Sequence, residues 1–379
     1  MITYFYYDDE KDKANSHAEF LSDSSSIIVK YKEPKNLKET LIEIRDSFKE
    51  KQLNGLILDL RLDIAKINGV YYRGTTLAQE LRTENSEGES LLPYDFPIIL
   101  LSSDANLLKY NSDDSSHGLF DMIISKDKYS KKVPNREIIL SRLIALSNGY
   151  KLIQENKKDT LIHKLLGLEE DKVSFLFPKF IYSLKQLMNK PVHVIARFIK
   201  NKLIEVTGLL VDRDILLARL GVDKDNTNQE ALNSLFELVK KFQYKGAFHE
   251  GWELYWMDFV KLWWDSDISK TKTMKSLSAS KRIEIISEKT GIKGLVSAKP
   301  LKNNYSDFFW TVCILSRKPI DPMNGFISIS KYDPINENAI LSDNQDPWIE
   351  KDYVTKGEFS KNSRNIILDS IDAELIKEH

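Results

Sequence analysis

Five short apolar runs recur in the amino-terminal part of this chain, each ending in or beside a polar or charged residue. They are Ile2–Tyr7, Ser26–Tyr31 (SIIVKY), Gly55–Leu60 (GLILDL), Pro97–Leu101 (PIILL) and Leu119–Ser125 (LFDMIIS). Runs this short and this apolar read as strands buried on both faces. Between them, Leu37, Leu41, Ile44 and Phe48 recur at helical spacing across Leu37–Lys51. Thr75–Arg82 and Asn135–Ile153 read as further helices. Alternating strands and helices of this kind pack as a parallel sheet covered on both sides.

Five such units within residues 1–153 predict an α/β, flavodoxin-like, doubly wound domain with a five-stranded parallel sheet. Ligands in that architecture sit beyond the carboxyl ends of the strands. Asp8 and Asp9 follow the first strand, Asp59 ends the third, Ser102 follows the fourth and Lys126 follows the fifth. Three crowded carboxylates repel one another, and a hard divalent cation such as Mg²⁺ relieves that repulsion through oxygen ligands. Asp59 then has the chemistry of a carboxylate nucleophile toward phosphorus, with Lys126 neutralising the phosphoryl oxygens. Ser102 would donate a hydrogen bond to the attached group.

These residues resemble the receiver domain of two-component response regulators. The resemblance rests on the acidic pair in YYDDE, the Asp in LILDLRLD, the Ser in PIILLSSD and the Lys in DMIISKDKY, and it covers about residues 1–150. It implies that Asp8 and Asp9 help hold Mg²⁺ and that Asp59 accepts phosphate from a histidine kinase or another phosphodonor. Ser102 would be the switch hydroxyl and Lys126 the family's signature lysine. Receivers with unfamiliar partners also occur in bacterial stress and defence systems. The chain departs from the family in three places: Asp127 stands where proline is usual, Ile123 stands where an aromatic is usual, and a polar insertion covers Thr83–Glu89.

With 379 residues the chain exceeds one ordinary domain of roughly 100–200 residues. Glu155–Thr160 reads as a linker, and residues 160–379 read as a mainly helical α+β output or interaction domain. Helices are expected over Phe180–Met188 and Ala231–Phe242, and strands over Phe308–Leu315 and Phe326–Ser330. Trp252, Trp256 and Trp263, at spacings of 4 and 7, are expected on one buried helical face. Cys313, the single cysteine, excludes an internal disulfide and fits a buried strand better than a reactive thiol. No HExxH, GxxxxGK[ST] or GxGxxG motif occurs, so no metalloprotease or nucleotide-loop chemistry is indicated, and enzymatic activity beyond self-phosphorylation has no visible constellation. No run approaches the about 18–20 apolar residues of a membrane span, and the N-terminus lacks a signal-peptide pattern. The expectation is a cytoplasmic protein without a membrane partner.

Residues 269–303 hold nine basic residues, Lys270, Lys272, Lys275, Lys281 and Arg282 among them, against only Glu284 and Glu288. The whole chain carries a net charge of −1. Such a local excess suits nucleic-acid contact, although a solvated helix and loop is the plainer account. Three functions therefore follow. The first is a signalling protein that switches a C-terminal effector or its protein partners through phosphorylated Asp59. The second is a degenerate receiver serving as a phosphorylation-independent scaffold. The third is a nucleic-acid-linked effector acting through the lysine segment.

Overall fold

The computed structural model describes residues 1–63, 70–86, 95–103, 106–107, 118–126, 133–301, 305–313, 316–327 and 348–350. Asp127 and residues 87–89 of the polar insertion lie outside them. So do residues 328–330 of the strand expected over Phe326–Ser330.

The first strands and helices run in order as β1 (Ile2–Tyr7), α1 (Lys11–Phe20), β2 (Ile27–Lys32), α2 (Leu37–Lys49), β3 (Gly55–Leu58), α3 (Gly74–Ser86), β4 (Ile98–Ser102), β5 (Met122–Ser125) and α4 (Val133–Asn156). The five strands form one parallel sheet in the order β2-β1-β3-β4-β5. This is the flavodoxin-like order, in which the direction of winding reverses between β1 and β3. Phe5, Tyr7, Leu56 and Leu58 pack on one face against Leu41 and Ile44 of α2 and Leu77 and Leu81 of α3. On β1, Tyr4 alternates with Phe5, and its hydroxyl donates to the Leu143 carbonyl of α4 at 2.7 Å. Helix α1 is absent from the sequence expectations because it buries only Ala14 and Ala18 and so shows little apolar periodicity.

A buried polar cluster closes the amino-terminal ends of β4 and β5. Arg82 of α3 donates to Asp121 at 2.7 Å and to the Phe96 carbonyl at 3.1 Å. The Tyr150 hydroxyl of α4 donates to Asp121 at 2.7 Å. Asp95, 3.6 Å from Arg82, accepts from the His193 backbone N–H at 3.2 Å and lies 2.9 Å from the His193 ring. Burial opposes charge on Asp95, but the His193 hydrogen bonds and the Arg82 guanidinium outweigh it and hold its pKa below the ordinary value.

Contacts divide the chain into two compact units. One comprises Met1–Asn201 with Lys245–Trp252. The helices α5 (Ile162–Leu166), α6 (Pro178–Leu187) and α7 (Val192–Ile199) therefore group with the parallel sheet. The segment 245–252 lies along α4. Its Ala247 N–H donates to the Leu165 carbonyl at 2.8 Å, Asn148 donates to Glu250 at 3.0 Å, and Arg142 stacks over Trp252 at 5.0 Å. Phe248 is buried and takes a left-handed backbone, φ 72°. Its ring fills the notch above Gly149, where a Cβ would lie 2.2 Å from it.

The other unit comprises Lys202–Tyr244 and the described residues from Glu253 to Glu350. It is helix-rich, with α8 (Arg213–Leu220), α9 (Gln229–Val239), α10 (Met257–Trp263) and α11 (Ala279–Thr290) beside an antiparallel pair, β6 (Leu210–Asp212) and β7 (Leu254–Trp256). The expected helices at Phe180–Met188 and Ala231–Phe242 form, the second ending in a 3₁₀ turn, Lys240–Phe242. Of the strand expected over Phe308–Leu315, the described residues form strand at Thr311–Val312, and residues 314–315 lie outside them. Cys313 is buried. The tryptophans are buried but share no helical face: Trp252 has an extended backbone, Trp256 ends β7 and Trp263 ends α10. Their matching intervals therefore span three different elements. No helix among the described residues is long and apolar enough to cross a membrane.

Gly149 lies inside α4, where Gly→Ala would ordinarily stabilise by about 1 kcal/mol. Against the Phe248 ring, the added methyl overpacks the contact at a cost of about 1–3 kcal/mol. Gly149→Ala is therefore expected to lower the thermal midpoint, read by circular dichroism. A raised midpoint would contradict this packing.

Candidate functional site

The register brings the charged residues to one edge. Tyr7 pairs with Leu58, Leu58 with Leu100, and Leu100 with Ile123. Asp8 and Asp59 are the next residues on β1 and β3, the two strands flanking the reversal in winding, and the Asp59 N–H donates to the Tyr7 carbonyl at 3.0 Å. Ser102 lies two residues beyond Leu100, paired with Ser125, and Lys126 follows directly. Each of Asp8, Asp9 and Asp59 offers one carboxylate oxygen, all within 4.8 Å of one another.

Lys126 ties the group together. Its ammonium donates to Asp8 at 2.6 Å and to Asp59 at 2.8 Å. Asp8 is 1% exposed and Asp59 4%, so both charges are largely removed from water. Backbone amides hold the carboxylates in place: the Glu10 N–H donates to Asp8 at 2.8 Å, and the Arg61 N–H donates to Asp59 at 2.9 Å. The Tyr6 hydroxyl also donates to Asp8. Gly74, the first residue of α3, packs against the Asp59 carbonyl so closely that a Cβ would lie 2.1 Å from that oxygen. Ser102 is wholly buried, and its hydroxyl has no hydrogen-bond partner among the described residues. An orphaned donor costs free energy unless something accepts from it.

Burial raises the Asp59 pKa above the ordinary carboxylate value; the Asp8 charge adds to this, and Lys126 only partly offsets it. Burial also opposes charge on Lys126, but the Asp59 and Asp8 carboxylates outweigh it and hold its pKa high. The pocket therefore contains a cation held charged beside a carboxylate whose anion is disfavoured. Such a set of hard oxygen donors suits a divalent cation, which would relieve the disfavoured charge on Asp59.

All five expected pocket residues meet at this edge by register, although Ser102 does not bond to the acids. Tyr6 and Gly74 were not anticipated. Tyr6 was legible, because residues two apart on a strand share a face. The Gly74 approach depends on the path of the β3–α3 connection and left no mark in the sequence.

The lysine segment of the second unit is less uniform than its composition. Lys270, Lys272 and Lys275 are exposed, whereas Lys281 is paired with Glu284 at 2.5 Å. Arg282, expected as a surface contact, is 0% exposed. Its guanidinium donates to the carbonyls of Leu277, Arg219 and Phe309 at 2.8–2.9 Å and of Ala218 at 3.4 Å. Burial brings its pKa down to about 10. A side chain committed to four carbonyls cannot also reach a phosphate, so Arg282 is structural.

The strand order and this pocket give residues 1–150 a receiver-type fold. Among solved structures, the chain is similar to the Mn²⁺-bound form of response regulator Rcp1, with 12% identity over 37% of this chain and 90% of that one, at a TM-score of 0.24. It is similar to the phosphorylated cyanobacterial phytochrome response regulator RcpA, with 17% identity over 42% and 95%, at 0.25. RcsB from Salmonella enterica serovar Typhimurium, bound to promoter rprA with phosphomimetic BeF3⁻, matches with 14% identity over 59% and 95%, at 0.25. Scores this low transfer no residue role, and the fold assignment rests on the strand order itself. No protein-family model and no curated protein matches the chain.

The Asp59 shift has a definite sign for stability. A carboxyl whose pKa is raised on folding favours the native state fully below its unfolded value, about 3.8, and loses that advantage as pH rises through the native value. At neutral pH the buried anion is a burden. Asp59→Asn is expected to raise the thermal midpoint by a few degrees at pH 7 and to have little effect near pH 3, roughly below the unfolded pKa. Lys126→Met leaves two buried acids unpaired and is expected to cost on the order of 3 kcal/mol. Thermal scans of both variants across pH check the pair, and destabilisation by Asp59→Asn at pH 7 would contradict it.

Proposed function

We propose that this protein is a response-regulator-like signalling protein in which Asp59 accepts a phosphoryl group and thereby switches a C-terminal effector or its protein partners. The observation that carries this reading is the convergence of Asp8, Asp9 and Asp59 within 4.8 Å, with Lys126 bonded to two of them. Asp8, Asp9 and Asp59 would hold the cation, Mg²⁺ on this reading. When bound, it supplies positive charge that offsets the carboxylates and the phosphoryl oxygens.

A carboxylate oxygen of Asp59 bonds to phosphorus as the donor's P–N bond, for a phosphohistidine kinase, or P–O bond, for an acyl phosphate, breaks. The leaving group keeps that electron pair. Lys126 moves from a bridge between carboxylates to a partner of the new phosphoryl oxygens. The orphaned Ser102 hydroxyl then gains an acceptor. Drawing Ser102 and Lys126 toward the phosphoryl group would bias the ends of β4 and β5 toward a second arrangement, which is how a local charge becomes a signal. On this reading the receiver is divided from its responding part at residues 153–160, and of the downstream chain α5, α6, α7 and the segment 245–252 group with the sheet.

Incubating the full chain with acetyl phosphate and Mg²⁺ and weighing it intact tests the proposal. Wild type is expected to gain one phosphoryl mass, and chelation or Asp59→Asn to abolish the gain. A wild-type chain that gains no mass and does not respond to beryllofluoride would overturn the proposal, leaving a phosphorylation-independent scaffold.

A further inference from the structure

The first unit carries a second feature unrelated to the acid pocket. Between Lys172 and Lys200 the chain has six basic residues, Lys172, Lys179, Lys185, Lys190, Arg197 and Lys200, and no aspartate or glutamate, directly after the acids Glu169, Glu170 and Asp171, in a protein of net charge −1. Within this stretch three aromatic rings stand in solvent: Phe175 at 57% exposure, Phe177 at 55% and Tyr182 at 65%. Local geometry explains their placement. Leu176 is extended and buried, so the neighbours on either side of it project the opposite way. Helix α6 buries Phe180, Ile181 and Leu184, which leaves Lys179, Tyr182, Lys185 and Gln186 on its outer face. Tyr182 is three residues from each of these lysines, so a cation flanks the ring on either side along the helix.

Lys179, Lys185 and Lys190 are exposed and form no ion pair among the described residues, although Lys172 is paired with Glu169 at 2.6 Å. The Lys157 ammonium donates to the Lys190 carbonyl at 2.8 Å and adds a further positive charge there. A solvated helix explains the lysines but not three bare rings set among them. Exposed rings gain by covering apolar area, and unpaired cations gain by meeting phosphates. A partner with both π-faces and a regular line of phosphates satisfies both needs. An anionic bilayer also takes lysines beside a ring, but an interfacial helix needs a broad apolar face, and the outer face of α6 offers only Tyr182. A duplex keeps its bases stacked internally, whereas a single strand presents them.

We propose that the outer face of residues 172–190 binds single-stranded nucleic acid, with Phe175, Phe177 and Tyr182 stacking on bases and Lys179, Lys185 and Lys190 contacting phosphates. Base recognition would be weak, because stacking accepts every base. The proposal is independent of Asp59 phosphorylation.

Fluorescence anisotropy of the full chain with a labelled oligothymidylate tests it, beside the matched duplex and phosphatidylglycerol vesicles. The single strand is expected to bind best, with affinity falling linearly in log salt. Phe177→Ala and Tyr182→Ala should each weaken binding about fivefold or more, with the thermal midpoint unchanged because both rings are exposed. Lys179→Ala with Lys185→Ala should reduce the salt slope by about 1.4, two phosphate contacts at about 0.7 each. The absence of single-strand binding at about 50 mM salt would overturn the proposal. Binding indifferent to both aromatic variants, or a preference for duplex or for vesicles, would do so as well.

Discussion

One ammonium group holds the amino-terminal pocket together. Lys126 bonds to Asp8 and Asp59 from the far side of the sheet, three strands from β1, and both acids are nearly dry. Two buried carboxylates this close would repel one another strongly without an intervening cation. The backbone amides of Glu10 and Arg61 and the Tyr6 hydroxyl orient the acids but bring no full charge. The ends of β1, β3 and β5 are thus joined electrostatically by one lysine. Burial raises the Asp59 pKa, so its position costs stability at neutral pH.

The opposite ends of the strands are built differently. There Arg82, Asp121 and Tyr150 form a hydrogen-bonded cluster, Asp95 pairs with Arg82 at 3.6 Å, and His193 of α7 bonds to Asp95. Every charge there meets a fixed partner, which suits a rigid base rather than a reactive pocket. Through His193 the helices after residue 160 are fastened to the sheet. Through Phe248 and Trp252 the segment 245–252 is fastened to α4. The unit containing the pocket is therefore larger than the five βα units alone.

What the sequence reveals follows from how local each cause is. A buried parallel strand needs an unbroken apolar run, and its carboxyl end lies one residue further on, so Asp8, Asp59 and Lys126 could be placed without coordinates. Helix α1 could not, because two buried alanines make no stripe. The repeating tryptophans misled for the opposite reason: their spacing matched one helix, while the chain turned from strand to helix between them. Counting charges misplaced Arg282, since composition cannot show that four carbonyls from distant residues converge on one guanidinium. The same count passed over residues 172–200, whose significance lies in which rings their helix leaves uncovered.

At the rim of one sheet Asp8, Asp9 and Asp59 each offer a carboxylate oxygen within 4.8 Å of the others, a spacing that suits a single hard cation. Crystals of the full chain soaked in Mn²⁺ and measured at the manganese absorption edge test this most directly. A single anomalous peak bounded by the Asp8, Asp9 and Asp59 carboxylates, with Lys126 drawn away from at least one of them, is the result this arrangement predicts. A map with no peak there, and with Lys126 still bridging Asp8 and Asp59 at saturating Mn²⁺, would contradict it.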